Sequence, residues 1–202
     1  ASPWGWAGTV AEFRRVDREP WLDALRQHAR GLTGEEASAS QVTAWRDEWD
    51  VLQQTFARLA ATATSAEWSL VFEFELPFEG GRRPDVVVLA GETVVVLEFK
   101  QSPLVTVAHI DQVRAYARDL ADYHEASHFR RVEPVLVSTN ETNLNLARGS
   151  VRLVGREALA TALVDLATPG FIDRTSWLLA PYAPLPTLVA AARRIFRHEH
   201  LP

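Results

Sequence analysis

The chain has 202 residues, 47% of them hydrophobic, enough to build a core for one domain of ordinary size with a small accessory region. It contains no Cys, which excludes a disulfide framework, a thiolate metal site and an iron–sulfur cluster. Its formal net charge of −5 argues against broad nonspecific nucleic-acid binding, and with no run near 18 apolar residues and no leader pattern a cytoplasmic protein without a membrane span is expected.

Residues 1–8 are rich in Trp and Gly. Thr9 followed three positions later by Glu12 has the pattern of a capping box, so a short helix is predicted to start there. Pro20 opens a second helix through Trp21, Leu22, Leu25 and His28, which ends near Gly31. Residues 34–40 read as a loop. Ser40 then caps a long amphipathic helix in which Val42, Trp45, Trp49, Leu52, Phe56 and Leu59 recur at steps of three and four. That stripe reads as core, with base stacking as its alternative use.

Over residues 70–100 the pattern becomes strand-like runs broken by two turn signals: SLVFEFELP, then, after FEGGRRPD, the β-branched runs Val86 to Leu89 and Val94 to Leu97, which flank Ala90-Gly91-Glu92-Thr93. Gly91-Glu92 suits a two-residue type II′ loop, and opposed residues then have numbers that sum to 183. Asp85 thus faces Glu98, and Arg83 faces Lys100. Alternation puts Glu98 and Lys100 on one face and Leu97 and Phe99 on the other. Two opposed carboxylates about 5 Å apart repel each other unless a cation lies between them, and a divalent metal ion is the candidate. A loop centred near Glu79 brings Glu73 opposite Asp85, whereas one centred on Gly80 brings Glu75 there; the sequence leaves both open. Of 21 basic residues only Lys100 is a lysine. Arg is a delocalised, permanent cation and Lys a compact ammonium with a movable pKa, so the exception points to a chemical role where water is activated. The plain alternative for these charges is an ion-pair network on a solvated sheet face.

A helix is predicted over 106–124, burying Ile110, Val113, Ala117 and Leu120. His109, Gln112 and Tyr116 form a neighbouring stripe that either lines the active face or hydrogen-bonds within the fold. Short strands follow at 134–138 and 151–154 with a polar loop over 140–145 between them, then a helix reaching about Ala167. Strand and helix alternating in this way imply crossovers and some parallel pairing. Pro181, Pro184 and Pro186 make an extended connector before a last helix from about Thr187 to His198. The fold class is therefore α/β, a mixed sheet with an antiparallel three-strand meander and flanking helices. Residues 1–66 form a helical region packed on the core, 67–180 the core, and 181–202 the connector and last helix. Arg82-Arg83, Arg114 with Arg118, Arg130-Arg131, and Arg193-Arg194 with Arg197 are local basic groups, read as partner contacts or as solvated faces.

Pro84-Asp85, followed across a hairpin by Glu98-Phe99-Lys100, resembles the PD-(D/E)xK nuclease superfamily. Gln112 and Tyr116, as Q-x-x-x-Y on the next helix, are similar to the extra motif of its RecB-like branch. GWAGTVAEF, VFEFELPFEGGRRPDVVVL and YAPLPTLVAAARRIF resemble bacterial relatives of the Schlafen-type helicases, in which an N-terminal nuclease-like domain joins an ATPase/helicase domain. The resemblance covers nearly the whole chain. It implies a restriction-endonuclease-like core, with Mg²⁺ or Mn²⁺ held by Asp85 and Glu98, and Lys100 contacting the attacking water or the scissile phosphate. It favours Glu73 over Glu75 as the upstream acid, because the family's strand places its acid early and Pro77 ends the run soon after Glu75. Arg83, Gln112 and Tyr116 become candidates for phosphate or strand contacts. The expected activity is metal-dependent hydrolysis of phosphodiester bonds, in DNA before RNA, with little sequence preference, coupled to a helicase/ATPase domain in cis or in trans. The chain is then a fragment or a stand-alone relative, and without a G-x-x-x-x-G-K-[ST] phosphate loop it is not expected to hydrolyse ATP. Two rivals stand beside this expectation. One is a catalytically silent nuclease fold used for nucleic-acid binding or protein docking. The other is a metal-free carboxylate hydrolase, which needs two acids about 5–10 Å apart around a sugar cleft and leaves Lys100 unexplained.

Overall fold

A computed structural model describes residues 2–60, 63–77, 81–102 and 104–196. Among these, seven strands form one mixed sheet: β1 (Trp6–Thr9), β2 (Ser69–Phe72), β3 (Val86–Ala90), β4 (Thr93–Lys100), β5 (Val132–Ser138), β6 (Asn145–Arg148) and β7 (Val151–Gly155), in the order β1-β2-β3-β4-β5-β7-β6. The first four strands pair antiparallel, β4-β5 and β5-β7 are parallel, and β6 returns antiparallel to β7. The helices are α1 (Val10–Phe13), α2 (Arg18–Thr33), α3 (Ala39–Leu59), α4 (Val107–Tyr123), α5 (Leu159–Leu166), α6 (Arg174–Leu178) and α7 (Pro186–Phe196). No helix among the described residues is long and apolar enough to cross a membrane.

The hairpin register follows from its turn. Val86 faces Leu97 and Ala90 faces Thr93, as a Gly91-Glu92 loop demands, and Gly91 takes φ 68°. A side chain there would also meet the Thr168 carbonyl oxygen at 1.6 Å, so only Gly fits. Both sheet faces are covered. Phe72, Val88, Val95, Leu97, Phe99 and Val137 pack under α1, α2, α3 and α5, while Val87, Val96, Leu136 and Leu153 pack under α4 and α6. β3 and β4 are accordingly buried on both sides as far as Phe99, which counts against the plain alternative of a solvated sheet face.

Several elements differ from the sequence reading for local reasons. Trp6–Thr9 forms an edge strand, so the first 66 residues contribute to the sheet as well as to helices, and the meander has four strands where three are predicted. Trp6 is anchored there by edge contacts with Phe13 and Phe72, each at 5.8 Å between ring centres. α2 begins at Arg18, with Pro20 inside its first turn, where a missing N–H is harmless, and it ends on left-handed Gly34 rather than near Gly31. Ser38, not Ser40, caps α3, its hydroxyl accepting from the Gln41 N–H at 3.2 Å. The first predicted strand stops at Phe72. β6 and α6 go unpredicted: β6 is an exposed four-residue edge, and α6 spans five residues, capped by Asp173 accepting from Ser176 N–H at 2.6 Å. The centre of the loop near Glu79, Pro103 and the end of the last helix at His198 lie outside the described residues.

The α4–α6 face holds a buried polar knot. His124 Nδ1 lies 2.9 Å from Ser127 Oγ and its Nε2 lies 3.0 Å from the Trp177 carbonyl, while Trp177 Nε1 donates to Ser127 Oγ at 3.0 Å. Burial lowers His124 to about 4, so the folded chain keeps it neutral where the unfolded chain protonates it. Its contribution to stability is full above about pH 6.5 and is lost as pH falls toward 4, by roughly 3 kcal/mol. Denaturant curves at pH 7.5, 6 and 5 should show His124→Gln less stable than the native chain at pH 7.5, with the gap narrowing at lower pH.

Candidate active site

The predicted residues converge where β2 and β4 end and β3 begins. Four carboxylates meet there, two from within elements and two from just beyond strand ends: Glu98 on β4 and Glu48 on α3, with Glu73 just past β2 and Asp85 just before β3. Glu73 backbone N–H donates to the Asp85 carbonyl at 3.0 Å, which continues the β2–β3 register and places Glu73, not Glu75, opposite Asp85. Glu73 has φ 54°, the one left-handed non-Gly residue among those described. Strict alternation would send its side chain to the α4 face with Val71; this backbone instead turns it toward α3. Trp45 Nε1 donates to its Oε1 at 2.8 Å and Arg83 Nε to its Oε2 at 2.9 Å. A non-Gly residue held in that region typically stores about 1–3 kcal/mol and marks a site whose surroundings over-determine it.

Asp85 accepts from the Phe99 backbone N–H through Oδ2 at 2.6 Å, locking it against the start of the E-F-K run. Glu98 is 2% exposed and its Oε1 accepts from Lys100 Nζ at 2.8 Å, so the predicted shared face of Asp85, Glu98 and Lys100 is present. Its other oxygen, Oε2, is buried without a hydrogen bond, as is Oε2 of Glu48. Burial, then the charges of Asp85, Glu73 and Glu98, lift Glu48 well above the usual carboxylate range. Burial and the neighbouring Glu98 and Glu73 do the same to Asp85, and burial raises Glu98 against the pull of Lys100. Burial also opposes the charged form of Lys100, but Glu98 and then Asp85 outweigh it and raise its pKa, so Lys100 stays an ammonium.

Arg83 is not opposite Lys100. The chain leaves the β3 ladder before Val86, and the Arg83 guanidinium turns to Glu73 and to the Gly81 carbonyl. Gln112 Nε2 donates to Tyr116 Oη at 2.9 Å, and Arg82 lies over the Tyr116 ring at 5.0 Å. Tyr116 is buried, and burial raises its pKa, with Glu98 and Asp85 close enough to add to the rise; the α4 pair thus borders the acids. His109 sits instead in the helix cap, exchanging hydrogen bonds with Thr106. The other basic groups are held by neighbours: Arg82 and Arg118 by Asp119, Arg114 by Asp111, Arg131 by Glu133, and Arg130 by the Ala126 carbonyl. The Arg193, Arg194 and Arg197 side chains lie outside the described residues.

No protein-family model, no curated protein and no solved structure matches this chain. The chemistry of the site is therefore read from its own groups. Four carboxylates against two cations, Lys100 and Arg83, leave two formal negative charges uncompensated in a largely buried cluster. Oxygen donors of that kind suit a hard divalent cation. Among the described residues no three acids already stand closed around a common point, since Lys100, Arg83, Trp45 and the Phe99 N–H occupy several of their oxygens. The orphaned Oε2 atoms of Glu48 and Glu98 are the observation that fits a hard divalent cation at this place.

Glu48 escapes the sequence reading because it lies inside an apolar stripe, three residues after Trp45 and four before Leu52. That position was the available signal, since a charge on the buried face of a helix requires a partner. A further apolar cavity of about 350 Å³, lined by Trp68, Leu89, Val164 and Phe171, lies at the other end of the strands by the Gly91 turn and contains none of these acids.

Proposed function

We propose that this chain is a metal-dependent nuclease that hydrolyses phosphodiester bonds, with Asp85, Glu98 and Glu73 holding Mg²⁺ or Mn²⁺. The observation that carries the reading is the buried excess of two carboxyl groups over cations around the lone lysine, at the position where Pro84-Asp85 and Glu98-Phe99-Lys100 meet across one hairpin. The same arrangement supports membership of the PD-(D/E)xK superfamily. A bound divalent ion would lower the pKa of a coordinated water and stabilise charge on the phosphate oxygens.

The chain's own residues supply the rest. Lys100, kept as an ammonium by Glu98, positions the attacking water beside the phosphate and neutralises charge that develops there. Glu48 Oε2, buried and unpartnered on a carboxyl with a raised pKa, is suited to receive the proton that the water sheds. Phe99 N–H fixes Asp85, while Trp45 and Arg83 fix Glu73, so the acids are positioned before substrate arrives. Gln112 and Tyr116 form the α4 wall of the site, and Arg83 is available to a phosphate by exchange with Glu73. The scarcity of unpaired arginines around the site supports a partner that grips the nucleic acid, such as a helicase/ATPase domain in cis or in trans.

The test is a cleavage panel with purified protein: supercoiled plasmid, linear duplex, single-stranded DNA and RNA, in Mg²⁺, Mn²⁺ or chelator. Cutting that requires the metal is expected. Metal binding without cutting of any substrate would instead favour a silent nucleic-acid-binding or docking module, and hydrolysis persisting in chelator would favour the metal-free carboxylate hydrolase.

A further inference from the structure

Beside Lys100, on the α4 side of the sheet, lies a cavity of about 310 Å³ that the acids do not use. Ser138 lies in it as the register partner of Lys100 in the parallel pair β4-β5, so the two side chains leave the same face of neighbouring strands, about 4.8 Å apart. The Ser138 hydroxyl is completely buried and makes no hydrogen bond. A buried hydroxyl of this kind is unfavourable until a ligand supplies its partner. The walls are apolar, formed by Ile110 of α4, Leu144, Leu153 and Val105, and the rim carries Glu141 and Arg148. Arg148 is exposed on the edge strand β6 and, among the described residues, pairs with no carboxylate, unlike Arg82, Arg83, Arg114 and Arg118.

We infer that this cavity receives a nucleobase of the strand being cut, and that the substrate is therefore single-stranded where it meets the site. A nucleobase has flat faces for Ile110 and Leu144 and an edge of donors and acceptors for Ser138 and Glu141. Its flanking phosphate lies within the province of Arg148. A base within a duplex must be unstacked and unpaired before it can enter such a pocket, whereas a single strand presents it at little cost. The acids themselves are recessed, with Glu98 and Glu73 buried beneath Lys100 and Arg83, which a narrow flexible strand reaches more readily than a duplex. Leu104 and Val107, 74% and 73% exposed on the segment between Lys100 and the body of α4, extend the apolar surface for a neighbouring base. The inference rests on the nuclease reading for its substrate and adds which form of nucleic acid is used.

The experiment measures fluorescence anisotropy of labelled 12-nucleotide single strands, DNA and RNA, with Ca²⁺ replacing Mg²⁺ to hold them uncut. Each position in turn is made abasic. One abasic position should weaken binding by about 10-fold, the effect of losing one base contact. That penalty should vanish in Leu144→Trp, which fills the cavity and whose fold is checked by its melting curve. Arg148→Ala should weaken all single strands by a similar factor and reduce the salt slope by about one unit. The DNA and RNA arms show which sugar the edge accepts. Equal affinity for intact and abasic strands, or duplex bound as tightly as single strand, overturns the inference. If such a flat result accompanies metal-dependent cutting lost in Lys100→Ala, the pocket assignment falls and the nuclease reading stands. A base-dependent signal without cutting keeps the pocket and removes the nuclease reading.

Discussion

Lys100→Ala is expected to lower the rate of phosphodiester cleavage by about 10²–10³-fold, the usual effect of removing one preorganised charge donor from a transition state. The ammonium lies 2.8 Å from Glu98 Oε1, and the pull of Glu98 and Asp85 keeps it protonated, so it acts as a fixed cation. Lys100→Arg should restore little. A guanidinium is broad and planar, and at this distance its fork would bind the Glu98 carboxylate in two places rather than present a compact charge to a water. Single-turnover cleavage, with circular dichroism as a folding control, checks both variants. A loss of less than about threefold in Lys100→Ala would remove Lys100 from the chemistry.

Glu48→Gln should raise stability in chelator while lowering activity by a comparable 10²–10³-fold. The native side chain keeps a carboxyl buried among three others with Oε2 unpartnered, and Gln preserves its shape without its charge. Ionising a carboxyl buried without a cationic partner costs energy that a neutral isostere does not, on the order of 2 kcal/mol out of an effective penalty of several per buried ion. At about 2–4 °C per kcal/mol for a chain of this size, a melting shift of roughly 5 °C follows. The sign of its pH dependence is fixed by the raised pKa. Below the unfolded value of 4.5 both states are protonated and the variant gains little; as pH rises, the unfolded chain ionises first and the native protein loses stability that the variant retains. The gap between the melting curves should therefore widen from pH 5 to pH 8. A stabilised but inactive variant is what a strained functional site predicts, and a destabilised one would assign Glu48 to structure.

Much of this site was legible because a hairpin turn fixes register. Gly91-Glu92 sets Val86 against Leu97, and from that pairing the shared face of Asp85, Glu98 and Lys100 follows by alternation alone. Where alternation breaks, sequence reasoning fails with it. Glu73 turns at φ 54° and Arg83 lies outside the ladder, so the reading could place neither side chain, although it named both residues. Glu48 was hidden by the periodicity that correctly identified α3 as amphipathic, since its neighbours Trp45, Trp49 and Leu52 dominate the pattern. β6 and α6 are too short to show a period, and their formation depends on β7 and on the Asp173 cap. The arginine clusters read as basic in sequence, yet Asp111 and Asp119 on α4 pair with Arg82, Arg114 and Arg118 in space.

The central claim is that the buried acids gather around a divalent cation, and titration of Mn²⁺ into the chelator-treated chain, followed by calorimetry, tests it most directly. The native protein should bind Mn²⁺ with Asp85→Asn losing at least about 10-fold in affinity, as removal of a charged oxygen ligand requires. Affinity unchanged in Asp85→Asn, or no Mn²⁺ uptake by the native chain at millimolar concentration, would contradict the account.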